Sequence, residues 1–184
     1  MEKKTNWWAI LGISVLGICL IGFLGVGIMV RFAPNIYQYL LENSSLRVGD
    51  AAPDFELTSL EGDTVRLSQF RGQPVLLSIG ATWCPDCRVE APMLQELHER
   101  KPELVVLLVD SNEGAHVVQG FADEFGITHP ILLDSDGVVL RLYQVFAIPT
   151  TLFIDAQGII RAKIIEGATP ELLAAKLPLI GVNP

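Results

Sequence analysis

Two cysteines three positions apart, Cys84 and Cys87, are the residues of this chain best suited to chemistry. A disulfide between them closes a very short loop, so making or breaking it changes little chain entropy. The run Pro74-Val75-Leu76-Leu77-Ser78-Ile79 ahead of them reads as an apolar strand. The pattern from Pro85 to about Arg100 reads as a helix. Cys84 therefore falls at the N-cap, and Pro85 at the first helical position, where its fixed φ and missing N–H are harmless. A sulfur there meets unpaired backbone N–H groups and the positive end of the helix dipole. Both favour the thiolate, the form that attacks disulfides. Asp86 works against them, because a nearby negative charge disfavours a second one. Strong oxidants depend on a well-stabilised thiolate, so this pair is expected to be a reductant or mild exchanger.

The elements that position this pair come after a long apolar stretch. From Trp7 to Val30 no residue is charged. About 24 residues at roughly 1.5 Å each give about 36 Å of helix, enough to span a bilayer. A cleaved signal peptide would have a shorter apolar run and a small-x-small site, whereas Arg31-Phe32-Ala33 follows here. Lys3 and Lys4 precede the span and Arg31 alone follows it closely, which places the N-terminus in the cytoplasm. The expected organisation is a cytoplasmic N-terminus at 1–6, a transmembrane signal anchor at 7–30, a tether at 31–45 and an extracytoplasmic domain at 46–181. Cys19 lies within the span, and Ile18 stands where a lipoprotein acceptor needs a small residue.

The chain carries a formal charge of −8, and residues 1–31 contribute +2, leaving −10 on the rest. An acidic domain is a poor nucleic-acid binder, so none is expected as a partner. With only two cysteines after the span, no separate disulfide framework is possible, and a redox role is favoured.

Along the domain, Phe55–Thr58 and Thr64–Leu67 read as a hairpin around Glu61-Gly62-Asp63. Strands are expected at Val75–Ile79, Leu104–Val109, Ile131–Leu133, Thr151–Asp155 and Ile159–Ile165. Helices are expected at Pro85–Arg100, Ala115–Phe125 with Gly126 as C-cap, Val138–Tyr143, and Pro170 to about Leu177 with Thr169 as N-cap. Apolar strands alternating with helices predict an α/β domain with a parallel portion, and the late strand pair adds an antiparallel one.

The segments Gly49-Asp50-Ala51-Ala52-Pro53-Asp54-Phe55, Leu67-Ser68-Gln69-Phe70-Arg71-Gly72, Ala81-Thr82-Trp83-Cys84-Pro85-Asp86-Cys87, Glu90-Ala91-Pro92 and Ile148-Pro149-Thr150-Thr151-Leu152-Phe153-Ile154-Asp155 resemble the membrane-anchored ResA/TlpA type of thioredoxin-like protein. The resemblance covers nearly everything after Leu46. It implies a thioredoxin fold, a central mixed sheet flanked by helices, with the hairpin as an N-terminal extension. It implies Cys84 as exposed nucleophile, Cys87 as buried resolving thiol, and Pro149 as a cis-proline opposite them. Trp83, Ile148 and Pro149 are then the client-docking residues, and Pro85 and Asp86 tune the potential. Glu90, one turn after Cys87, matches an acid that moves the proton during exchange, and Glu113 matches a second acid. The implied partners are a disulfide-containing client, with apocytochrome c the usual one, and a membrane dithiol electron donor of the CcdA/DsbD type. No cofactor is implied.

Two departures are visible. Many thioredoxins bury an aspartate six positions ahead of the first cysteine, where this chain has Ser78, so the burden shifts to Glu90. Ile79-Gly80 replaces a usual aromatic, which is expected to open the floor of the site.

Two other classes lack residues they need. A peroxiredoxin-type thiol peroxidase needs Thr or Ser three positions before its reactive cysteine and Pro seven before it, and Ala81 and Leu77 stand there. A metal-binding or copper-site assembly protein needs more ligands than one Cys-x-x-C, and His98, His116 and His129 have no ligand-like spacing. Each of the three histidines reads as solvated. Asp134-Ser135-Asp136-Gly137 lacks the remaining ligands of a calcium loop and reads as a turn.

Overall fold

Seven strands form one sheet in the order β2-β1-β5-β4-β3-β6-β7 in a computed structural model that describes residues 46–183. The expected cytoplasmic segment, span, tether and Cys19 lie outside the described residues. Among those described, no helix is long and apolar enough to cross a membrane.

The strands are β1 (Glu56–Ser59), β2 (Thr64–Arg66), β3 (Val75–Gly80), β4 (Val105–Ser111), β5 (Ile131–Asp134), β6 (Thr150–Ile154) and β7 (Ile160–Ile165). The helices are α1 (Pro85–Arg100), α2 (Ala115–Phe125), α3 (Val138–Leu142) and α4 (Pro170–Lys176). Short 3₁₀ turns at Leu67–Phe70 and Leu177–Ile180 complete the chain. β3, β4 and β5 run parallel, β6 adds antiparallel to β3, and β7 adds antiparallel to β6. The hairpin β1–β2 joins through an antiparallel pairing of β1 with β5.

β3 is buried along its whole length because both faces are covered, which is why it reads as an apolar run interrupted only at Ser78. One face packs Val75, Leu77, Ile79, Leu107, Val109 and Leu152 against Phe55, Val65, Val139 and Tyr143. The other packs Leu76, Val106 and Phe153 against Leu94 and Leu173, and Leu108 against Ala91 and Phe121. Strand side chains alternate between faces. Ser78 of β3, Asp110 of β4 and Thr151 of β6 therefore share the face beneath α1.

Local signals set the ends of the helices. Thr169 caps α4 by accepting a hydrogen bond from the Leu172 N–H at 3.3 Å. Gly126 ends α2 at φ 62, a left-handed conformation that glycine adopts without a Cβ clash. Asp134 turns the chain into α3 by accepting from the Leu140 N–H at 2.9 Å, so Asp134–Gly137 is a turn.

The candidate dithiol site

β3 ends at Gly80 and α1 begins at Pro85, so the intervening bend places the two cysteines at the sheet's carboxyl edge. Cys84 and Cys87 are joined as a disulfide with Cα atoms 5.2 Å apart. Cys84 is the N-cap of α1, and its Sγ accepts the Cys87 N–H at 3.2 Å. An oriented donor thus meets the sulfur on which negative charge would develop.

Cys84 is not exposed as expected: it is 3% exposed and Cys87 is 7% exposed. The disulfide turns the Cys84 sulfur inward onto Cys87, and the loop before β6 lies over it, with the Ile148 carbonyl oxygen 3.6 Å from Sγ. The rim is formed by Trp83, which is 68% exposed, together with Pro85 and Asp86. The Ile148–Pro149 bond is cis. Pro149 is buried, Ile148 half-buried, and the Pro149 carbonyl already accepts the Glu166 N–H at 3.0 Å. Ile148 is therefore the backbone position that faces the sulfur pair. Phe146, three residues ahead of Pro149, is 92% exposed and was not singled out from sequence.

Behind the pair, α1 turns Cys87, Glu90, Ala91 and Leu94 inward at helical spacing. Glu90 is 1% exposed. Its Oε1 accepts from the Thr151 hydroxyl, whose oxygen lies 3.2 Å from Ser78 Oγ, while Oε2 has no partner. Burial pushes the Glu90 carboxyl up to about 7, and the Thr151 bond only partly opposes it. A carboxyl in that range holds or releases a proton near neutrality, which suits a general acid–base. Ser78 thus contributes a hydroxyl, and the buried acid comes from the helix.

Ser78, Cys87, Glu90 and Asp110 line a cavity of about 10 Å³ together with Ala81, Ala91, Leu94, Leu108 and Phe121. The floor is not open as the Ile79-Gly80 departure predicts. Ile79 is fully buried, and a Cβ at Gly80 would lie 2.9 Å from Cys87 Sγ. The Cys87 sulfur occupies the space that a side chain at position 80 would need. Thr151 and Asp110 were missed from sequence, because sheet register rather than local spacing brings them beneath the dithiol. Asp110 had one signal, a carboxylate closing the apolar run Val105-Val106-Leu107-Leu108-Val109.

Glu113 reaches the other side of the motif. Its two oxygens accept the Thr82 N–H at 2.6 Å and the Thr82 hydroxyl at 2.8 Å, fixing the residue before Trp83.

The histidines differ from one another. His116 is exposed and His98 half-buried, but His129 is 2% exposed and not solvated as expected. The loop into β5 tucks its ring against His98, centroids 5.8 Å apart, and burial holds it down to about 4. Among the described residues, no group of three or more His, Cys, Asp or Glu is placed to hold a metal ion.

A Cys-x-x-C at a strand–helix junction, a cis-proline loop over it and a mixed five-strand core define a thioredoxin-fold thiol–disulfide oxidoreductase. The chain belongs to the AhpC/TSA family, whose model matches residues 48–163, and to its ResA-like group. It is 38% identical over 136 residues to the thiol-disulfide oxidoreductase ResA of Geobacillus kaustophilus, covering 73% of this chain and 78% of that one. It is 34% identical over 171 residues to the thioredoxin-like protein YneN of Bacillus subtilis, covering 90% and 95%. Among solved structures, the thioredoxin domain of a thiol-disulfide oxidoreductase from Bacteroides vulgatus superposes with a TM-score of 0.67 at 25% identity, covering 74% of this chain and all of that one.

Proposed function

We propose that the protein is an extracytoplasmic, membrane-anchored protein-disulfide reductase, with Cys84 as nucleophile, Cys87 as resolving thiol and Glu90 as proton acceptor. The observation that carries the exchange mechanism is the buried Glu90 carboxyl beside Cys87 with an unpartnered oxygen. The reductive direction rests on Asp86 in the dipeptide between the cysteines, since it disfavours the Cys84 thiolate that an oxidant must stabilise.

In the reduced protein, the Cys84 thiolate attacks a client disulfide and forms a mixed disulfide, releasing the first client sulfur as thiolate. Cys87 then gives its proton to Glu90 and attacks Cys84. The Cys84–client bond breaks, the second client sulfur leaves with its electrons, and the Cys84–Cys87 disulfide remains. In that state Cys84 is covered, which fits a product form that has released its client. Trp83, Ile148 and Pro149 form the docking edge, and the client backbone adds beside Ile148 in the manner of a short strand. Electrons return through a membrane dithiol carrier of the CcdA/DsbD type. The client is an exported protein with a vicinal disulfide, apocytochrome c with its C-x-x-C-H being the foremost candidate, which ties the protein to cytochrome c maturation. A peroxidase reading finds Ala81 and Leu77 where its reaction needs other residues.

The test is capture by the Cys87→Ala full chain. Lacking the resolving thiol, it should stall as a Cys84-linked mixed disulfide with an oxidised apocytochrome c peptide, and the wild-type chain should release that peptide reduced. Peptide that stays oxidised and unlinked with both proteins would end the reading, as would steady consumption of peroxide in its place.

A further inference from the structure

The cavity behind the sulfur pair holds one more carboxyl than the reaction above uses. Asp110 closes β4 opposite Gly80 of β3 and Leu133 of β5, and it is 3% exposed. Its Oδ1 has no hydrogen-bond partner, as is true of Glu90 Oε2. Both residues line the cavity with Cys87. The space of about 10 Å³ is room for roughly one water, and such a water would find polar partners on both carboxyls. On its other side Asp110 lies within electrostatic reach of the Glu113 carboxyl, which itself takes the Thr82 amide. Glu113 is only half-buried and leads towards solvent.

The charged and titratable groups facing Asp110 are few. From α1 they are Cys87 and Glu90, and from the loop after β4, Glu113. β3, β5 and α2 present Gly80, Leu133 and Phe121. Asp134 of β5 turns instead to Ser111 and the Leu140 amide, and Arg88 of α1 to the Thr82 carbonyl and Glu124.

We propose that Asp110 is a proton-relay residue that links the buried cavity beside Cys87 to Glu113 at the surface. The inference rests on the reading of Cys87 as the resolving thiol. When Cys87 attacks Cys84, its proton passes to Glu90. From there a cavity water carries a proton to Asp110, which hands one on to Glu113 and so to solvent. No electron moves along this path. The sulfur lone pair of Cys87 forms the new bond, and the client sulfur takes the electrons of the broken one. Burial and the Glu113 charge push Asp110 up to about 8, so the relay holds its proton at neutral pH and has one to hand on. Glu90 is thereby reset for the next turnover without opening the cavity.

The experiment follows Cys87 alkylation by peptide-resolved mass spectrometry in the reduced full chain across pH, alongside the rate of mixed-disulfide resolution. Cys87 reactivity in the wild type should bend near pH 8, where Asp110 ionises. Asp110→Asn should lose that bend and slow resolution about tenfold at pH 7, less than the hundredfold or more expected of the primary proton acceptor. Glu113→Gln should move the bend to lower pH, because the charge that raises Asp110 is gone. A merely structural role would change stability and leave the bend in place. An Asp110→Asn profile and rate equal to wild type would overturn the relay. If that variant fails to fold, an unmoved bend in Glu113→Gln overturns it equally. The alkylation profile is read without any client, so absence of reductase activity in the wild type sinks the proposed function and leaves the relay to be decided by the bend.

Discussion

At the scale of single residues, the site keeps a carboxyl dry beside the sulfur pair. Glu90 touches Thr151 and faces Cys87, and burial keeps it near 7 instead of in the ordinary carboxylate range. As a base it must first lose its own proton. The wild-type rate of mixed-disulfide resolution should therefore climb as pH rises through about 7. Glu90→Gln should flatten that climb and slow resolution by about 100-fold in single-turnover quench measurements. An unchanged pH profile would remove Glu90 from the mechanism. Asp86→His replaces a like charge beside Cys84 with a partial positive one, so equilibration with glutathione should show a more oxidising pair. Cys84 and Cys87 were legible from their spacing at a helix start, and Glu90 from the resemblance, one turn further on. Thr151 and Asp110 were not, since neither carries a local pattern and both reach the site through strand pairing. The burial of Cys84 was misread because the sequence places a sulfur at a helix start without saying which way the oxidised pair turns it.

At the scale of elements, the contact that matters is the end of β3 against the first turn of α1. Position 80 must lack a side chain for Cys87 to sit there. Gly80→Ala would set a methyl 2.9 Å from Cys87 Sγ. The sulfur or the strand must shift, at a cost of about 1–3 kcal/mol in urea unfolding of the oxidised chain. Exchange should suffer more than stability, because Cys87 Sγ, the proposed resolving thiol, is the atom displaced. A variant of wild-type stability and rate would show that the junction has slack. Most elements were legible, since apolar runs, caps and glycine stops each act over a few residues. Strand ends moved by one or two positions, and the pairing of β1 with β5 was not foreseen. That pairing joins residues more than 70 positions apart, and nothing in either short run specifies the other.

At the scale of the whole molecule, buried titratable groups set how stability changes with pH. Glu90 and Asp110 are raised to about 7 and about 8, so the folded chain holds protons that the unfolded chain has already lost. Each therefore lowers stability as pH rises, on the order of 3 kcal/mol for Glu90. His129, held down to about 4, acts oppositely between about 4 and 6.5, where the unfolded chain binds the extra proton. The unfolding free energy should thus decline from about pH 5 to about 8 and fall most steeply once the His129 contribution ends, near 6.5 to 7. The double variant Glu90→Gln with Asp110→Asn should reverse the slope below 6.5, leaving a rise due to His129. Urea titrations at a series of pH values check both signs. A further consequence follows from the ladder that joins the first described residues to β7. Gly49 N–H donates to the Ile160 carbonyl at 2.8 Å, and Ala51 bridges Ile159. Ile160 pairs with Ile154 and so with Val75, whereas the sulfurs lie past Gly80, a full strand of roughly 17–20 Å away. The described body thus begins at one pole and carries its sulfur pair at the other.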